Sequence, residues 1–272
     1  MQFVMRFWMV ALMIVGASWV QGQEIVAHRG ASHDAPENTL AAFRLAWQQQ
    51  ADAIEGDFYL TADGKIVCIH DKDTGRVAPG ATARVVAKST LAELQGLDVG
   101  SWKGPAFADQ RLPTLADVLA IVPEGKRIFV EIKCGPEILP ALQKQLETSG
   151  LQPDQIMLIA FNADVIRQAR QRMPQYKANW LTSYKQAKGS NVWRPELSTV
   201  LATLKSTGAT GLGTTGNAEV VDKEFVRAIR EAGFEFHVWT INDVDGARYW
   251  QTLGVDSITT DRPAYLREHL GL

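Results

Sequence analysis

Two pairs of ionisable residues stand one residue apart in this chain of 272 residues. Glu55 and Asp57 flank a glycine near the end of one apolar run. Glu131 and Lys133 flank an isoleucine near the end of another. If both runs are β-strands, alternation turns each pair toward a single face. Two carboxylates held this close repel each other, and they are tolerated where a cation or a proton lies between them.

Three of these residues could bind a metal ion. The carboxylates of Glu55, Asp57 and Glu131 are the oxygen ligands that Ca²⁺ and Mg²⁺ prefer, with waters and a substrate oxygen completing the coordination shell. A zinc site would more usually take histidines as ligands. We therefore predict one divalent cation, Ca²⁺ or Mg²⁺, bound by these three carboxylates.

Two histidines and two basic residues could act on a substrate beside that cation. His28 and His70 carry imidazoles whose ordinary pKa lies near 6.5, which suits general acid and base catalysis. Arg29 and Lys133 suit the binding of an anionic phosphoryl group. Displacement at a phosphodiester requires deprotonation of a nucleophile, protonation of a leaving alkoxide and neutralisation of charge on the phosphoryl oxygens. This set of residues meets all three requirements.

The elements that must position these residues follow an alternation of short apolar runs with amphipathic stretches. Eight such units predict a closed (β/α)8 TIM-type barrel in a single domain, with functional residues at the C-terminal ends of the strands. The predicted barrel strands are Ile25–His28, Ala53–Asp57, Arg127–Lys133, Gln155–Ala160, Lys177–Leu181, Gly208–Gly213, Glu235–Trp239 and Asp256–Thr260. Predicted helices include Thr39–Gln50, Pro136–Thr148, Ala163–Arg172, Lys223–Ala232 and Val244–Thr252.

Two features interrupt this alternation. Asp63-Gly64 separates the second strand from an additional strand, Lys65–His70, and Asp-Gly between two such runs favours a β-hairpin. A two-residue loop would place Asp57 opposite His70, with Cβ atoms about 5 Å apart. After the hairpin, segment 74–113 is rich in Gly, Pro and Ala. We predict that it forms a small inserted lobe with one short helix at Leu91–Gln95.

Several polar residues receive structural interpretations. The run from Pro36 to Thr39 predicts the start of the first helix, with Asn38 as its N-cap. Asp71 is expected to orient either the loop after His70 or a group that supports the site. Asp261 is interpreted as a turn and helix-start residue, and His237 as a packing residue inside the barrel. The two cysteines, Cys68 and Cys134, are predicted to be buried free thiols, with one disulfide between them as the alternative.

Residues 1–22 have the pattern of a signal peptide. Arg6 precedes an apolar run over residues 7–15, and small residues follow. The run is short for a membrane span. We predict cleavage after Gly22, with a site near Ala17 or an uncleaved anchor as alternatives, and hence a secreted or periplasmic protein of residues 23–272. No second apolar run of this kind follows, and the net charge of −2 does not favour nucleic-acid binding.

The order of the motifs resembles the glycerophosphodiester phosphodiesterase family, which belongs to the TIM-barrel, phospholipase-C-like phosphodiesterase superfamily. The motifs are His28-Arg29-Gly30, Pro36-Glu37-Asn38-Thr39, Glu55-Gly56-Asp57, His70-Asp71, Glu131-Ile132-Lys133, Val238-Trp239-Thr240-Ile241-Asn242 and Thr260-Asp261-Arg262-Pro263. They extend over about residues 24 to 267. The resemblance implies hydrolysis of glycerophosphodiesters to glycerol 3-phosphate and an alcohol.

The resemblance also implies residue roles. It implies metal ligation by Glu55, Asp57 and Glu131, acid–base catalysis by His28 and His70, phosphate binding by Arg29 and Lys133, and substrate contact by Trp239. The chain departs from the family where it has Ala160-Phe161, because the family often has Ser-Phe there. Two other functions stay open, namely a lysophospholipase D or sphingomyelinase D-like phosphodiesterase and a non-catalytic protein that binds a phosphate ligand.

Overall fold

The fold is described from a computed structural model, which describes residues 23–272. The predicted signal peptide, residues 1–22, lies outside the described residues. The strands are β1 (Glu24–His28), β2 (Ala53–Leu60), β3 (Ile66–Cys68), β4 (Arg127–Ile132), β5 (Ile156–Ala160), β6 (Lys177–Thr182), β7 (Lys185–Gln186), β8 (Trp193–Arg194), β9 (Gly211–Thr215), β10 (Glu235–Trp239) and β11 (Ser257–Thr260). The α-helices are α1 (Leu40–Gln48), α2 (Leu91–Gln95), α3 (Leu115–Leu119), α4 (Leu139–Glu147), α5 (Ala163–Arg172), α6 (Leu197–Thr207), α7 (Lys223–Glu231), α8 (Val244–Thr252) and α9 (Pro263–Leu270).

Eight of these strands form a closed parallel barrel. Its order is β1, β2, β4, β5, β6, β9, β10 and β11, and β1 pairs with both β2 and β11 to close the ring. Helices lie between successive barrel strands. This architecture confirms the predicted (β/α)8 TIM-type barrel. Of the remaining strands, β3 pairs antiparallel with β2, and β7 and β8 form a separate short hairpin.

Apolar side chains fill both sides of the barrel wall. The helices pack on the outside because each carries one apolar face, as in α7, where Phe225, Val226 and Ile229 are buried. Inside the barrel a second cluster includes Phe129 and Met157. The members of this cluster lie at alternate strand positions in phase with the predicted site residues, so both sets of side chains point into the barrel. The interior is therefore packed below the site and polar at the C-terminal mouth.

One barrel strand starts later than the sequence predicts. The prediction was Gly208–Gly213, whereas β9 begins at Gly211. Gly208 instead ends α6 in the left-handed conformation with φ of 67°, and its amide donates to helix carbonyls. A glycine in this conformation is a common helix C-terminus because it lacks a Cβ.

The predicted register of the first hairpin is wrong by one residue. The amide of Ile69 donates to the carbonyl of Asp57 at 2.8 Å, so Ile69 and not His70 lies opposite Asp57. The loop has three residues, 62–64, because Gly64 adopts a φ of 72° that closes the longer turn. The position of His70 therefore depends on the segment after β3 and not on strand pairing.

Segment 74–113 builds a small apolar cluster of its own. It contains α2, at the bounds that the sequence predicts, and 3₁₀ turns at Val86–Lys88 and Pro105–Phe107. Val86 and Leu94 are buried together with Val67 of β3. The segment is thus packed on the hairpin, beside the barrel mouth.

Cys68 and Cys134 are free thiols, as predicted, although Cys134 is only partly buried. Within the described range, 23–272, no helix is both long enough and apolar enough to cross a membrane.

Candidate active site

Three buried carboxylates meet at the C-terminal ends of two neighbouring strands. Glu55 and Asp57 lie on β2 and Glu131 lies on β4, where the register pairs Asp57 with Glu131. Each residue offers one oxygen, and these oxygens lie within 4.8 Å of one another. All three side chains are buried. The structure therefore brings the three predicted metal ligands together.

The electrostatics of this cluster fit a bound cation. Burial raises the pKa of Glu55 well above its usual range, and repulsion from Asp57 and Glu131 raises it further. Glu55 Oε1 is buried without a hydrogen-bond partner among residues 23–272. An acceptor left in this state costs roughly 1–3 kcal/mol. A hard divalent cation, which prefers oxygen ligands, would remove both the repulsion and that cost.

Two cations stand against the carboxylate cluster. Arg29 Nε lies 3.2 Å from Asp57 Oδ2, and Lys133 Nζ lies 3.3 Å from Asp57 Oδ1 and 2.7 Å from Glu131 Oε1. Burial alone would raise the pKa of Asp57, but Lys133 and Arg29 outweigh it and the pKa is lowered. In Glu131 burial and Asp57 prevail over Lys133, so its pKa is raised. Arg29 and Lys133 are thus held charged beside the cluster.

His28 stands at the end of β1 and is held by a carboxylate from the last strand-to-helix loop. Its Nδ1 lies 2.6 Å from Asp261 Oδ1. Ser32 Oγ and Asn242 Nδ2 also donate to Asp261, at 3.0 and 2.6 Å. Burial alone would raise the pKa of Asp261, but the hydrogen bond from His28 and these other donors lower it to about 2. The ionised carboxylate accepts a hydrogen bond, so Nδ1 carries a proton. Nε2 is then the ring nitrogen that can take up or release a proton at the substrate.

His70 is held in the same way by the residue that follows it. Its Nδ1 lies 2.7 Å from Asp71 Oδ1. Burial lowers the pKa of His70, and the positive charges of Arg29 and Lys133 lower it further against the attraction of Asp57. His70 lines the same cavity as His28. The two predicted catalytic histidines therefore face one space, and both have Nδ1 engaged.

The turn after β1 aims Arg29 at the carboxylates. Arg29 adopts a φ of 56°, and its amide donates to Glu55 Oε2 at 2.9 Å. Gly30 follows with a φ of 78°, and a Cβ there would lie 2.5 Å from the backbone carbon of Ala42. The turn must therefore carry glycine at position 30 to pack against α1.

Asn38 has a different role from the one that the sequence predicts. Thr39, and not Asn38, caps α1, since its side chain accepts from the amide of Ala42. Asn38 adopts a φ of 57°, donates through Nδ2 to Asp57 Oδ2 at 2.8 Å and accepts through Oδ1 from the Asp57 amide at 3.1 Å. It thus fixes both the backbone and the side chain of one predicted metal ligand.

The cavity above the carboxylates has a polar wall and an apolar wall. Its volume is about 160 Å³, and His28, Arg29, Glu55, His70, Glu131, Lys133, Ile159, Phe161, Leu181, Trp239, Thr240 and Thr259 line it. Trp239 packs edge-to-face against Phe161, with ring centroids 5.5 Å apart. The predicted substrate contact, Trp239, therefore lines the cavity, and Phe161 extends the apolar wall to the surface.

A larger cavity, of about 1030 Å³, opens at the opposite end of the barrel. Charged side chains dominate its lining, and most are already paired with each other, as in Arg127 with Glu24 and Arg267 with Asp52. The functional residues of such barrels lie at the other end. The smaller cavity at the C-terminal mouth is accordingly the candidate active site.

Three residues of the site carry roles that differ from their sequence interpretation. The sequence interpretation makes Asp261 a turn and helix-start residue, Asn38 a cap and Glu37 part of the start of the first helix. Glu37 contacts Arg29 Nη1 through Oε1 at 3.1 Å. The available signal was the position of Asp261 directly after a barrel strand, where functional residues concentrate. Asp71 contacts Nδ1 of His70, which fits the second of its two predicted roles, support of a group at the site.

Comparison with known proteins agrees with the class that the fold and the site define, a barrel enzyme with a carboxylate-lined mouth. The sequence profile of the glycerophosphoryl diester phosphodiesterase family matches residues 28–265. The Bacillus subtilis protein YhdW is 33% identical over 246 residues, covering 89% of this chain and 96% of the relative. A glycerophosphodiester phosphodiesterase of Caldanaerobacter subterraneus subsp. tengcongensis is 30% identical over 248 residues, covering 89% and 95%.

Solved structures show the same fold. An Oleispira antarctica phosphodiesterase in complex with the product sn-glycerol-3-phosphate superposes with a TM-score of 0.81 at 27% identity, covering 92% of this chain and 97% of that one. A glycerophosphodiester phosphodiesterase from Agrobacterium tumefaciens gives a TM-score of 0.73 at 27% identity, covering 90% and 99%. The chain belongs to the glycerophosphoryl diester phosphodiesterase family.

Proposed function

We propose that this protein hydrolyses glycerophosphodiesters to glycerol 3-phosphate and an alcohol, with one divalent cation, Ca²⁺ or Mg²⁺, at Glu55, Asp57 and Glu131. The observation that carries the proposal is the pairing of two carboxylate-held histidines with a buried three-carboxylate cluster in one cavity. When bound, the cation supplies Lewis-acid stabilisation of the charge that develops on the phosphoryl group. The solved relative with bound sn-glycerol-3-phosphate supports this substrate class.

The histidines would move the protons of the reaction. Asp261 and Asp71 each accept from an Nδ1 atom, so His28 and His70 present Nε2 to the substrate. One unprotonated Nε2 accepts a proton from the attacking water or substrate hydroxyl, and the other imidazole, protonated on both nitrogens, donates its Nε2 proton to the leaving alkoxide. If a substrate hydroxyl attacks, water then opens the resulting cyclic ester with the two proton-transfer roles reversed. Each such role contributes typically about 10²–10⁴-fold to the rate.

The cations and the aromatic wall would hold the substrate. Arg29 and Lys133 offer charged donors to the phosphoryl oxygens beside the cluster. Trp239 and Phe161 offer an apolar surface to the carbon skeleton of the substrate. The apolar run at residues 7–15 supports the further proposal that the protein acts outside the cytoplasm, as a secreted or periplasmic enzyme.

The test is release of glycerol 3-phosphate from glycerophosphocholine and glycerophosphoethanolamine. A protein of residues 23–272 is stripped with EDTA and then re-supplied with Ca²⁺ or Mg²⁺. We expect one of the two ions to restore release, and His28→Ala and His70→Ala to lower kcat by about 10²–10⁴-fold each. Glu131→Gln removes one ligand and is expected to raise the metal concentration required for half-maximal activity.

The matched control is His33→Ala, because His33 is 53% exposed in its side chain and contacts Asp34. It should retain wild-type activity. A folded protein that releases no glycerol 3-phosphate with either ion would contradict the proposal. Activity confined to lysophospholipids would favour the lysophospholipase D-like alternative, and tight phosphate-ester binding without turnover would favour the non-catalytic one.

A further inference from the structure

Arg76, at the start of the 74–113 segment, connects two carboxylates that belong to different parts of the site. Its Nη1 and Nη2 donate to the two oxygens of Glu37 at 2.6 and 2.8 Å. Its Nε donates to Asp71 Oδ2 at 2.6 Å. All three nitrogens of one guanidinium are therefore engaged, which fixes its orientation far more than a single surface ion pair would.

The contact with Glu37 leads to the predicted phosphate-binding arginine. Glu37 Oε1 accepts from Arg76 Nη2 and also from Arg29 Nη1, at 3.1 Å. The Glu37 side chain is only 12% exposed, so its position is set by these two cations. Burial would raise the pKa of Glu37, but the hydrogen bond from Arg76 and the charge of Arg29 lower it. Arg29 in turn lies against Asp57 of the carboxylate cluster.

The contact with Asp71 leads to one of the two histidines. Asp71 uses Oδ2 for Arg76 and Oδ1 for Nδ1 of His70. With one oxygen held by the guanidinium, the carboxylate cannot rotate away without breaking a charged hydrogen bond. Arg76 itself does not line the cavity. It therefore acts on the chemistry only through the groups that it holds.

We propose that Arg76 is a positioning residue that aligns His70 and Arg29 with each other. The inference rests on the proposed function for its kinetic consequence. Its loss would free the Asp71 carboxylate from one side and leave Glu37 with Arg29 alone. His70 and Arg29 would both act on the same substrate. Misalignment of the two should therefore lower kcat more than it changes KM. Outer contacts of this kind commonly affect activity by about 10–100-fold.

The kinetic test compares Arg76→Ala with Arg84→Ala. Arg84 is a fair control because it lies in the same segment, is 41% exposed against 45% for Arg76, and pairs with Glu93 of that segment. We expect Arg76→Ala to lower kcat about 10–100-fold and Arg84→Ala to leave it unchanged. Arg76→Lys has one nitrogen for two carboxylates, so it should restore only part of the loss.

A double-mutant cycle separates positioning from general destabilisation. The effects of Arg76→Ala and Glu37→Gln should be less than additive, because both break one connected network. Arg76→Ala should unfold only a few degrees below Arg84→Ala, at about 2–4 °C per kcal/mol lost, and so stay folded at the assay temperature. Additive kinetic effects would show that Arg76 does not act through Glu37 and would overturn the proposal.

A second measurement does not require activity. Ring ¹⁵N chemical shifts report which nitrogen of His70 carries the proton. We expect a single Nδ1-protonated tautomer in the wild type and in Arg84→Ala, and a mixture in Arg76→Ala. Unchanged His70 shifts, or a kcat within about twofold of the Arg84→Ala value, would overturn the role of Arg76. A wild-type protein without turnover would instead contradict the proposed function. The ring shifts would still decide whether Arg76 positions His70.

Discussion

Each histidine of the cavity has one ring nitrogen occupied by a carboxylate. His28 uses Asp261, and His70 uses Asp71. The two carboxylates differ in their surroundings, because Asp261 also accepts from Ser32 and Asn242 whereas Asp71 accepts from Arg76. The alignment of His28 thus depends on neutral donors from the loops after β1 and β10, and that of His70 on a charged donor.

The lowered pKa of Asp261 predicts a pH dependence of stability. Its pKa moves from 3.8 to about 2 on folding, so the stabilisation is present above pH 4 and is lost as the pH falls toward 2. We expect Asp261→Asn to be less stable than the wild type by about 1–2 kcal/mol at pH 7, a figure reduced for partial exposure. The difference should shrink between pH 5 and pH 2 in urea unfolding.

The control for this prediction is Asp109→Asn, at a side chain that is 90% exposed. The unfolding free energy of Asp109→Asn should follow that of the wild type from pH 7 to pH 2. A constant difference between wild type and Asp261→Asn from pH 7 to pH 2 would show that the ionised form of Asp261 is not what stabilises the fold.

The sequence reveals the roles of single residues where those roles depend on local geometry. Strand alternation alone predicts that Glu55 and Asp57 share a face, and the structure agrees. The partner of His28 could not be found in this way, because Asp261 lies 233 residues away along the chain. The role of Asn38 was missed because its left-handed backbone turns the side chain toward Asp57. Capping statistics describe only the ordinary conformation.

At the scale of elements, backbone hydrogen bonds and one close backbone contact hold the turn from β1 into α1 in place. The amide of Ala31 donates to the carbonyl of Ala42 at 3.0 Å, and the amide of Asn38 donates to the carbonyl of Arg29 at 3.0 Å. These bonds fold the loop back on the strand end that carries His28 and Arg29. Gly30 stands at the closest approach to α1.

Substitution of that glycine should therefore be costly. In Gly30→Ala the new Cβ would lie 2.5 Å from the backbone carbon of Ala42, and the φ of 78° is unfavourable for alanine. We expect a loss of more than about 3 kcal/mol of unfolding free energy, because the left-handed backbone alone costs about 1–2 kcal/mol and displacement of α1 adds to it. Chemical denaturation provides the measurement.

Gly64→Ala separates the two contributions. Gly64 has a similar φ of 72°, but a Cβ there has nothing within 4 Å. It should lose only about 1–2 kcal/mol. Equal losses at the two positions would mean that the contact with Ala42 relaxes freely and does not hold the turn.

Helix and hairpin boundaries show why some elements are predictable and others are not. The bounds of α2 were predicted correctly because Thr90 and Glu93 form a capping box, which is a sequence-local signal. The register of β2 and β3 was wrong because Asp63-Gly64 suits both two- and three-residue loops. The choice between them depends on Thr61, whose Oγ1 accepts from the amide of Lys65 and donates to Asp63.

At the scale of the whole molecule, the two ends of the barrel differ in how their charged side chains are paired. The C-terminal mouth holds carboxylates that repel each other, and Glu55 Oε1 has no hydrogen-bond partner among residues 23–272. The opposite end holds charges in matched pairs around a wide cavity. Eight β-then-α units predicted the closed barrel, because parallel sheets of eight such units close with one recurring combination of strand tilt and stagger.

The paired end should influence stability without influencing catalysis. Arg267 of α9 donates to Asp52 Oδ2 at 2.6 Å, and the same oxygen accepts from the amide of Ile25 at 3.0 Å. Arg267→Ala would loosen the last helix from the start of β1. We expect a loss of about 1–3 kcal/mol of unfolding free energy, with kcat and KM unchanged, measured by denaturation and steady-state assay.

Arg227→Ala serves as the comparison, because Arg227 is 59% exposed and pairs with Glu224 and Glu231 of its own helix. Its loss should cost less than about 0.5 kcal/mol. A fall in kcat for Arg267→Ala in a folded protein would show that the two ends of the barrel are coupled.

The contact of His28 with Asp261 also makes one end of the site depend on the last part of the chain to be synthesised. The two residues are 233 positions apart, and their strands, β1 and β11, complete the ring. At a synthesis rate of about 5–20 residues per second, His28 would wait roughly 12–47 seconds for its partner. During that time the carboxylates of β2 and β4 can already meet, whereas β1 and the newest strand remain open edges. Chains that end before β11 therefore lack the carboxylate that holds His28, and they leave β1 without one of its two neighbouring strands.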